Sequence, residues 1–166
     1  MSRLAPIRAL RPNAAAAPQL SSVLYDVVST AEAKKLADGN PRSFLRVTRA
    51  ELELPEGSDP HSPEVYERGR ANLQRLKLAG DLLQDREPSL YIYRLKMGKH
   101  VQTGVAGGFS VDEYEQGSIK KHETTRRDKE DDRTRHIATL RAQTGVVFLT
   151  YAASQAIDDA VAAVQK

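Results

Sequence analysis

The strongest constraint on how this chain folds is a helical pattern between Ser62 and Gly80. Ser62 is suited to cap a helix, and Pro63 is suited to its first turn because that position needs no N–H donor. Gly80 permits the positive φ with which many helices end. The apolar residues between them recur at near-helical spacing: Val65, Leu73, Leu76 and Ala79. The pattern predicts one long helix in a chain whose other elements are short.

Shorter patterns precede this helix. Residues 1–22 carry three prolines and four consecutive alanines, which predicts an extended N-terminal segment. Thr30 is a candidate N-cap for a helix through Asp38, and Gly39-Asn40-Pro41 would stop that helix. Side chains alternate in Ser43–Thr48, which predicts a strand with one mostly apolar face.

The second half of the chain predicts a hairpin and two further helices. Two runs of strand-like sequence are joined by a connection of hairpin-loop length. Gly107-Gly108 in the second run predicts a bulge or the close approach of another backbone, and a bulge is favoured over a ligand contact. The predicted segments are strands at Leu90–Lys96, Val101–Val111 and Val146–Tyr151, the last buried on both faces, and helices at Asp128–Arg141 and Ala152–Lys166. Together the elements predict a single α/β domain over 1–166, with a small mixed sheet flanked by helices.

Composition limits the classes of function. The chain has no cysteine, which excludes disulfides, thiol nucleophiles and cysteine-ligated zinc. The net charge is only +3 and the two signs are intermixed, so a nucleic-acid-binding surface is disfavoured. No apolar run approaches the roughly 20 residues that span a bilayer. We expect a soluble cytoplasmic protein with neither zinc nor haem, and the common glycine-rich phosphate loops are absent from the sequence.

The segment Lys120–His136, KKHETTRRDKEDDRTRH, is the strongest indication of function. It holds two of the four histidines together with seven Lys or Arg and five carboxylates. On a helix starting near Asp128, Asp132 and His136 are i, i+4 neighbours, so the carboxylate is expected to fix the imidazole tautomer. Lys129 and Arg133 share a face and form a natural phosphate clamp.

A second interpretation of this segment needs no ligand. Charge-rich helices are commonly solvated surfaces stabilised by weak i, i+4 ion pairs. A zinc site is disfavoured because the segment contains no His-Glu-x-x-His pattern, and no metal site is predicted. His61 and His100 lie in loop contexts and are predicted to be solvent histidines.

Four groups of residues resemble a known family. These are Pro6-Ile7 with Leu10-Arg11-Pro12, then Tyr25-Asp26-Val27-Val28, then Asn40-Pro41-x-Ser43-Phe44-Leu45, and His122-Glu123-x-Thr125 followed by Lys129-x-x-Asp132-Arg133-x-x-His136. Together with Gln143-Thr144-Gly145 through Tyr151 they resemble domain-of-unknown-function family 1015, often labelled SpoOJ/ParA/ParB/RepB. Members are usually well over twice as long and carry a later Asp-Gly-His-His-Arg motif. The resemblance therefore implies that this chain is the N-terminal portion of a longer family member.

The resemblance also implies a fold that is in part ParB/sulfiredoxin-like, a superfamily in which some relatives phosphorylate free serine. The corresponding expectation is a small-molecule kinase that uses ATP or ADP with Mg²⁺. The expected catalytic residues are Asp26, His122 and Glu123. The residues expected to bind phosphate or nucleotide are Thr125, Arg126, Lys129, Arg133 and His136. The alternatives are a ParB-like module that binds nucleic acid or a protein partner, and a non-catalytic fragment in which the charged motif forms ion pairs with the rest of the protein.

Overall fold

The computed structural model describes residues 2–122 and 124–165, and the predicted mixed α/β class is confirmed. The helices are α1 Ala17–Leu20, α2 Thr30–Ala37, α3 Leu45–Thr48, α4 Pro63–Leu78, α5 Val111–Glu115, α6 Arg127–Leu140 and α7 Gln155–Val164, with a 3-10 helix at Ala50–Glu53. The strands are β1 Leu4–Ala5, β2 Leu10–Pro12, β3 Leu82–Gln84, β4 Tyr91–Met97, β5 His100–Ala106 and β6 Gly108–Phe109. In the described residues they form three two-stranded antiparallel ladders, β1–β6, β2–β3 and β4–β5.

The chain divides into two compact units. The first unit comprises 1–9, 85–123 and 145–166, and the second comprises 10–84 and 124–144. All buried hydrophobic side chains of the described chain belong to the second unit. The second unit therefore holds the hydrophobic core, and the charged helix α6 packs there against α4.

Helix α4 confirms the predicted long helix and forms one side of the main core. Ser62 occupies the N-cap position, Pro63 begins the helix, and Gly80 follows it with a φ of 73°. The cluster against which it packs consists of Ala16, Leu20, Val47, Leu73, Leu76, Leu82 and Leu140. Because Leu140 comes from α6, this core fixes α6 beside α4.

The predicted strand at Ser43–Thr48 is wrong, because this segment turns into helix α3. Leu45 and Val47 are both almost completely buried, as expected for the apolar face of the predicted strand. Val47 contacts the main core, whereas Leu45 packs in a second cluster with Ala33, Ala37 and Leu52. A short helix with core on two sides buries residues two apart, and periodicity over six residues does not distinguish it from a strand.

Helix α2 begins at Thr30, so the predicted N-cap is off by one residue. The cap is Ser29, whose hydroxyl accepts from the Glu32 backbone N–H while the Glu32 carboxylate accepts from the Ser29 N–H. This reciprocal arrangement satisfies two backbone donors at the helix start. Asp38 and Gly39 end the helix, as predicted, with Gly39 at a φ of 63°.

The N-terminal segment is extended only in part, because α1 forms a helical turn within the predicted 1–22 stretch. In the first unit, the predicted hairpin is confirmed as β4 and β5 with Gly98-Lys99 between them. A Cβ on Gly107 would lie 2.8 Å from the Ala5 carbonyl oxygen, so this glycine admits the backbone of β1. Of the predicted alternatives, the close approach of another backbone therefore explains Gly107.

The predicted buried strand at Val146–Tyr151 is wrong. The segment has no strand structure, and Val146, Val147, Phe148 and Tyr151 are all more than 60% exposed. Apolar composition favours burial, but a strand also needs a neighbour for its backbone hydrogen bonds, and none pairs with this segment in the described chain. The predicted C-terminal helix is present as α7.

Within residues 2–122 and 124–165, no helix combines the length and the apolar character that crossing a bilayer requires.

Candidate functional site

The carboxylate of Asp132 on α6 is the centre of a hydrogen-bonded cluster in the second unit. Its Oδ1 accepts from the Tyr66 hydroxyl at 2.8 Å and lies 3.0 Å from His61 Nδ1. Its Oδ2 accepts from Arg133 Nε at 3.0 Å and from Arg133 Nη2 at 2.7 Å. The Asp132 side chain is only 12% exposed, so four donors hold a largely buried carboxylate in one position.

The charge on Asp132 determines which nitrogen of His61 carries the proton. Burial by itself would raise the pKa of Asp132, but hydrogen bonds from Arg133 and Tyr66 outweigh burial and hold the pKa below its usual value. The carboxylate is therefore ionised at neutral pH and can only accept, so His61 Nδ1 must donate. In the neutral imidazole, Nε2 is then left with a lone pair, on a side chain that is half exposed to solvent.

Tyr66 is held in its protonated form by the same cluster. Burial, together with the hydrogen bond to the negative Asp132, raises the pKa of Tyr66 to about 12. The hydroxyl consequently donates throughout the physiological range. Tyr66 serves as an anchor for Asp132, since its own proton is not available at neutral pH.

His136 does not bind Asp132, so the predicted i, i+4 pair is wrong. Its Nε2 lies 3.1 Å from the Val47 carbonyl oxygen, and that oxygen can only accept, so Nε2 carries the proton. Its Nδ1 is buried and has no hydrogen-bond partner in the described chain. Burial lowers the pKa of His136, with Arg133 adding to the effect against the Val47 hydrogen bond, so the ring is neutral. His136 binds the Val47 carbonyl of α3 instead of Asp132, because both oxygens of Asp132 already accept hydrogen bonds from other donors.

Arg133 connects Asp132 to the Tyr-Asp-Val segment. Its guanidinium carbon lies 4.2 Å from the centre of the Tyr25 ring, a cation–π geometry. The Tyr25 turn is fixed from the other side by Arg49, which donates to the carbonyl oxygens of Tyr25 and Val28, each at 2.8 Å. Arg133 is therefore engaged on two sides, and its charge is balanced by Asp132.

The other predicted site residues that the structure describes are exposed. Asp26 lies in the turn next to Tyr25. Thr125 and Lys129 are solvent-accessible near the start of α6, and Arg126 makes a bidentate pair with Asp128 at 3.1 and 2.7 Å. His122 is exposed in the first unit, and Glu123 lies outside the described residues. The structure thus brings Arg133 and Asp132 into one cluster and buries His136 against α3, whereas the other described site residues are exposed.

The sequence interpretation missed two members of the cluster, His61 and Tyr66, and assigned no site role to Tyr25. His61 was interpreted as a solvent histidine, yet it is separated from Asp132 by 71 positions and meets it through the packing of α4 on α6. One local signal was available: His61 immediately precedes the N-cap residue of the longest helix, a position that fixes its backbone. Because the sequence alone does not show that α4 packs against α6, this signal does not identify Asp132 as the partner of His61.

Mg²⁺ does not fit Asp132, because both carboxylate oxygens already accept two hydrogen bonds each. No group of three or more His, Asp or Glu side chains within 2–122 and 124–165 is arranged to hold a metal ion. We therefore assign no metal ion to this cluster.

The family model described as "Protein of unknown function (DUF1015)" matches residues 4–166. The chain belongs to the DUF1015 family. Neither the search of curated proteins nor the search of solved structures found a match. Three of the segments on which the DUF1015 resemblance rests meet in the second unit. Tyr25 contacts Arg133 of α6, and the segment ending at Leu45 leads into Val47, whose carbonyl oxygen binds His136 of α6. In this DUF1015 chain the Tyr25 and Asn40–Leu45 motifs are therefore linked to the α6 part of the charged motif.

Proposed function

We propose that this protein takes part in nucleotide-dependent phosphoryl transfer to a small hydroxyl compound such as free serine. The observation that carries the proposal is the pair formed by Asp132 and the half-exposed His61. A buried carboxylate that fixes one imidazole nitrogen, leaving the other as a solvent-facing base, is the arrangement that activates hydroxyl groups in many enzymes.

In the proposed reaction, His61 Nε2 takes the proton of the acceptor hydroxyl. The hydroxyl oxygen forms a bond to the terminal phosphorus of ATP or ADP while the bond from that phosphorus to the bridging oxygen breaks. The nucleotide leaves one phosphate shorter, and the proton remains on His61 until it is released to solvent. Asp132 stabilises the imidazolium that forms, in the way a buried carboxylate stabilises a neighbouring histidine cation.

Phosphoryl transfer also needs positive charge near the transferred group, and Mg²⁺ accompanies the nucleotide phosphates in most such reactions. Lys129 on α6 and Arg126 at its N-cap position are the exposed cations that we assign to phosphate contacts. Arg126 is paired with Asp128, but both side chains are more than half exposed, so exchanging this partner for a phosphate costs little. Arg133, whose charge Asp132 balances, is proposed to position Tyr25 and Asp132.

The experiment is to incubate the protein with ATP or ADP, Mg²⁺ and serine, and to detect phosphoserine by mass spectrometry. His61→Gln removes the proposed base while keeping a side chain that can donate to Asp132. His100→Gln is the matched control, because His100 is an exposed histidine at the tip of the β4–β5 hairpin. We expect product with the unmodified chain and with His100→Gln, and a loss of about 100-fold or more with His61→Gln.

Two results would contradict the proposal. Phosphoserine formation by His61→Gln at the unmodified rate would remove His61 as the base. No phosphorylated product with either nucleotide and a panel of small hydroxyl compounds would remove phosphoryl transfer, and would favour the interpretation in which the Asp132 cluster is structural.

A further inference from the structure

A shallow cavity of about 560 Å³ in the second unit, largely open to solvent, lies away from the Asp132 cluster. Its volume is within the range of pockets that hold small ligands, roughly 300–1,000 Å³. The side chains that line it are mostly cationic or amide: Arg46, Glu53, Arg68, Asn72 and Arg75. Three arginines against one carboxylate make this wall electropositive.

Two of these arginines have N–H donors that make no hydrogen bond within the described chain. The Arg68 guanidinium makes no hydrogen bond within the described chain, and its nearest carboxylate oxygen, Glu53 Oε2, is 3.9 Å from Nη1. Arg75 uses Nη2 to donate to the Pro41 carbonyl oxygen at 2.6 Å, which orients the group and leaves its other N–H donors open. Both side chains are exposed at the cavity.

The charge of Glu53, the carboxylate that lines the cavity, is balanced by a neighbouring arginine of the protein. Glu53 Oε1 accepts from Arg46 Nη1 at 2.9 Å, and Oε2 accepts from the buried Asn72 amide at 3.1 Å. Arg46 is itself fixed by the Ala37 and Asn40 carbonyl oxygens, at 2.8 and 3.0 Å. Since Arg46 and Glu53 cancel, the net charge offered to a ligand is that of Arg68 and Arg75.

The spacing on α4 places these groups on one stripe. At about 100° per residue, Asn72 lies about 40° and Arg75 about 20° around the helix from Arg68. Tyr66, which belongs to the Asp132 cluster, lies about 160° from Arg68 by the same measure. The cavity and the cluster therefore occupy different faces of α4.

We infer that this cavity binds the phosphate group of a small phosphate monoester. Two guanidinium groups on one helix stripe match the double negative charge and the several acceptor oxygens of such a group. Because its volume exceeds what free phosphate fills, the cavity has room for the organic group of an ester. The inference does not depend on the proposed phosphoryl transfer, because it concerns other residues and a binding event without chemistry.

The test is isothermal titration calorimetry with glycerol phosphate, inorganic phosphate and glycerol at constant ionic strength. The pH is set at ~7.5, above the second pKa near 6 of a phosphate monoester. We expect saturable binding of glycerol phosphate, weaker binding of inorganic phosphate and none of glycerol. Arg68→Gln with Arg75→Gln should weaken glycerol phosphate at least about tenfold, the equivalent of one strong interaction.

Arg70→Gln is the matched control, because Arg70 is an exposed arginine of α4 that does not line the cavity. It should leave the dissociation constant unchanged. Arg68→Gln alone keeps the test valid if the double variant fails to fold, since Arg68 makes no hydrogen bond within the described chain. Absence of saturable binding, or an equal weakening by Arg70→Gln, would overturn the inference. Tighter binding of inorganic phosphate than of glycerol phosphate would contradict the inference that the ligand is a phosphate monoester.

Discussion

The Tyr66 hydroxyl donates to Asp132 Oδ1 at 2.8 Å and thereby joins α4 to α6. The same oxygen lies 3.0 Å from His61 Nδ1. One carboxylate oxygen thus holds both the helix packing and the imidazole that we propose as a base. Because the two functions share an atom, a change at Tyr66 is expected to alter stability and the position of His61 together.

Tyr66→Phe removes this bond while keeping the ring in the core. We expect the free energy of unfolding to fall by about 1.5–3 kcal/mol, the range for a hydrogen bond to a charged group. Urea denaturation followed by circular dichroism measures the change. Tyr93→Phe is the control, because Tyr93 is 46% exposed on β4, and its effect should stay within about 0.5 kcal/mol. Equal effects of the two variants would show that the Asp132 bond contributes no stability.

Gly69→Ala tests the contact of α4 with α3. A Cβ on Gly69 would lie 2.8 Å from the Val47 carbonyl oxygen, which also accepts from His136. Alanine normally favours a helix over glycine by about 1 kcal/mol, but here the backbone of α3 must move. We expect a net loss of about 1–3 kcal/mol, as for other overpacked sites. Gly104→Ala, where a Cβ meets open space, should cost nothing comparable in the same urea measurement.

The stability of the protein should depend on pH through His136. Burial lowers the pKa of His136 in the folded state, whereas the unfolded chain titrates near 6.5. Below about pH 6.5 the unfolded state binds the proton more readily, so stability is complete above this pH and is lost as pH falls towards the folded-state pKa. Carboxylates such as Asp132, whose pKa is also lowered, cost stability only at more acidic pH.

The measurement is the free energy of unfolding at several pH values between ~7.5 and ~5, for the unmodified chain and for His136→Gln. Glutamine can still donate to the Val47 carbonyl but does not titrate. The variant should show a shallower loss of stability on acidification, and its difference from the unmodified chain should narrow as pH falls. Parallel curves would mean that His136 does not control this pH dependence.

Arg49→Lys tests how the Tyr25 turn is held. The Arg49 guanidinium donates to the Tyr25 and Val28 carbonyl oxygens, to Thr30 Oγ1 and to Glu51. Lysine keeps the charge but lacks the planar fork that reaches several acceptors at once. We expect a loss of about 2 kcal/mol or more in the free energy of unfolding. Arg70→Lys, at an exposed ion pair on α4, should change it by less than about 0.5 kcal/mol, and a similar loss there would refute the assigned role.

Elements whose signals are local can be predicted from the sequence. Ser62, Pro63 and Gly80 bracket α4, and the β4–β5 hairpin follows from two strand-like runs with a short connection. Helix α6 was likewise predicted to within one residue at each end. Caps, glycines and periodicity act within one or two turns of the chain, so a single sequence contains all the information that they need.

Which residues form the site depends on the tertiary packing of distant segments. The sequence favours His136, a residue of the same helix, as the partner of Asp132. The partners instead include Tyr66 of α4 and His61, which precedes that helix. The same holds for Val146–Tyr151, whose composition favours burial but which no strand covers in the described chain. Hydrogen-bond partners and burial depend on which surfaces meet in space, and that competition between distant groups is not encoded in any short stretch of sequence.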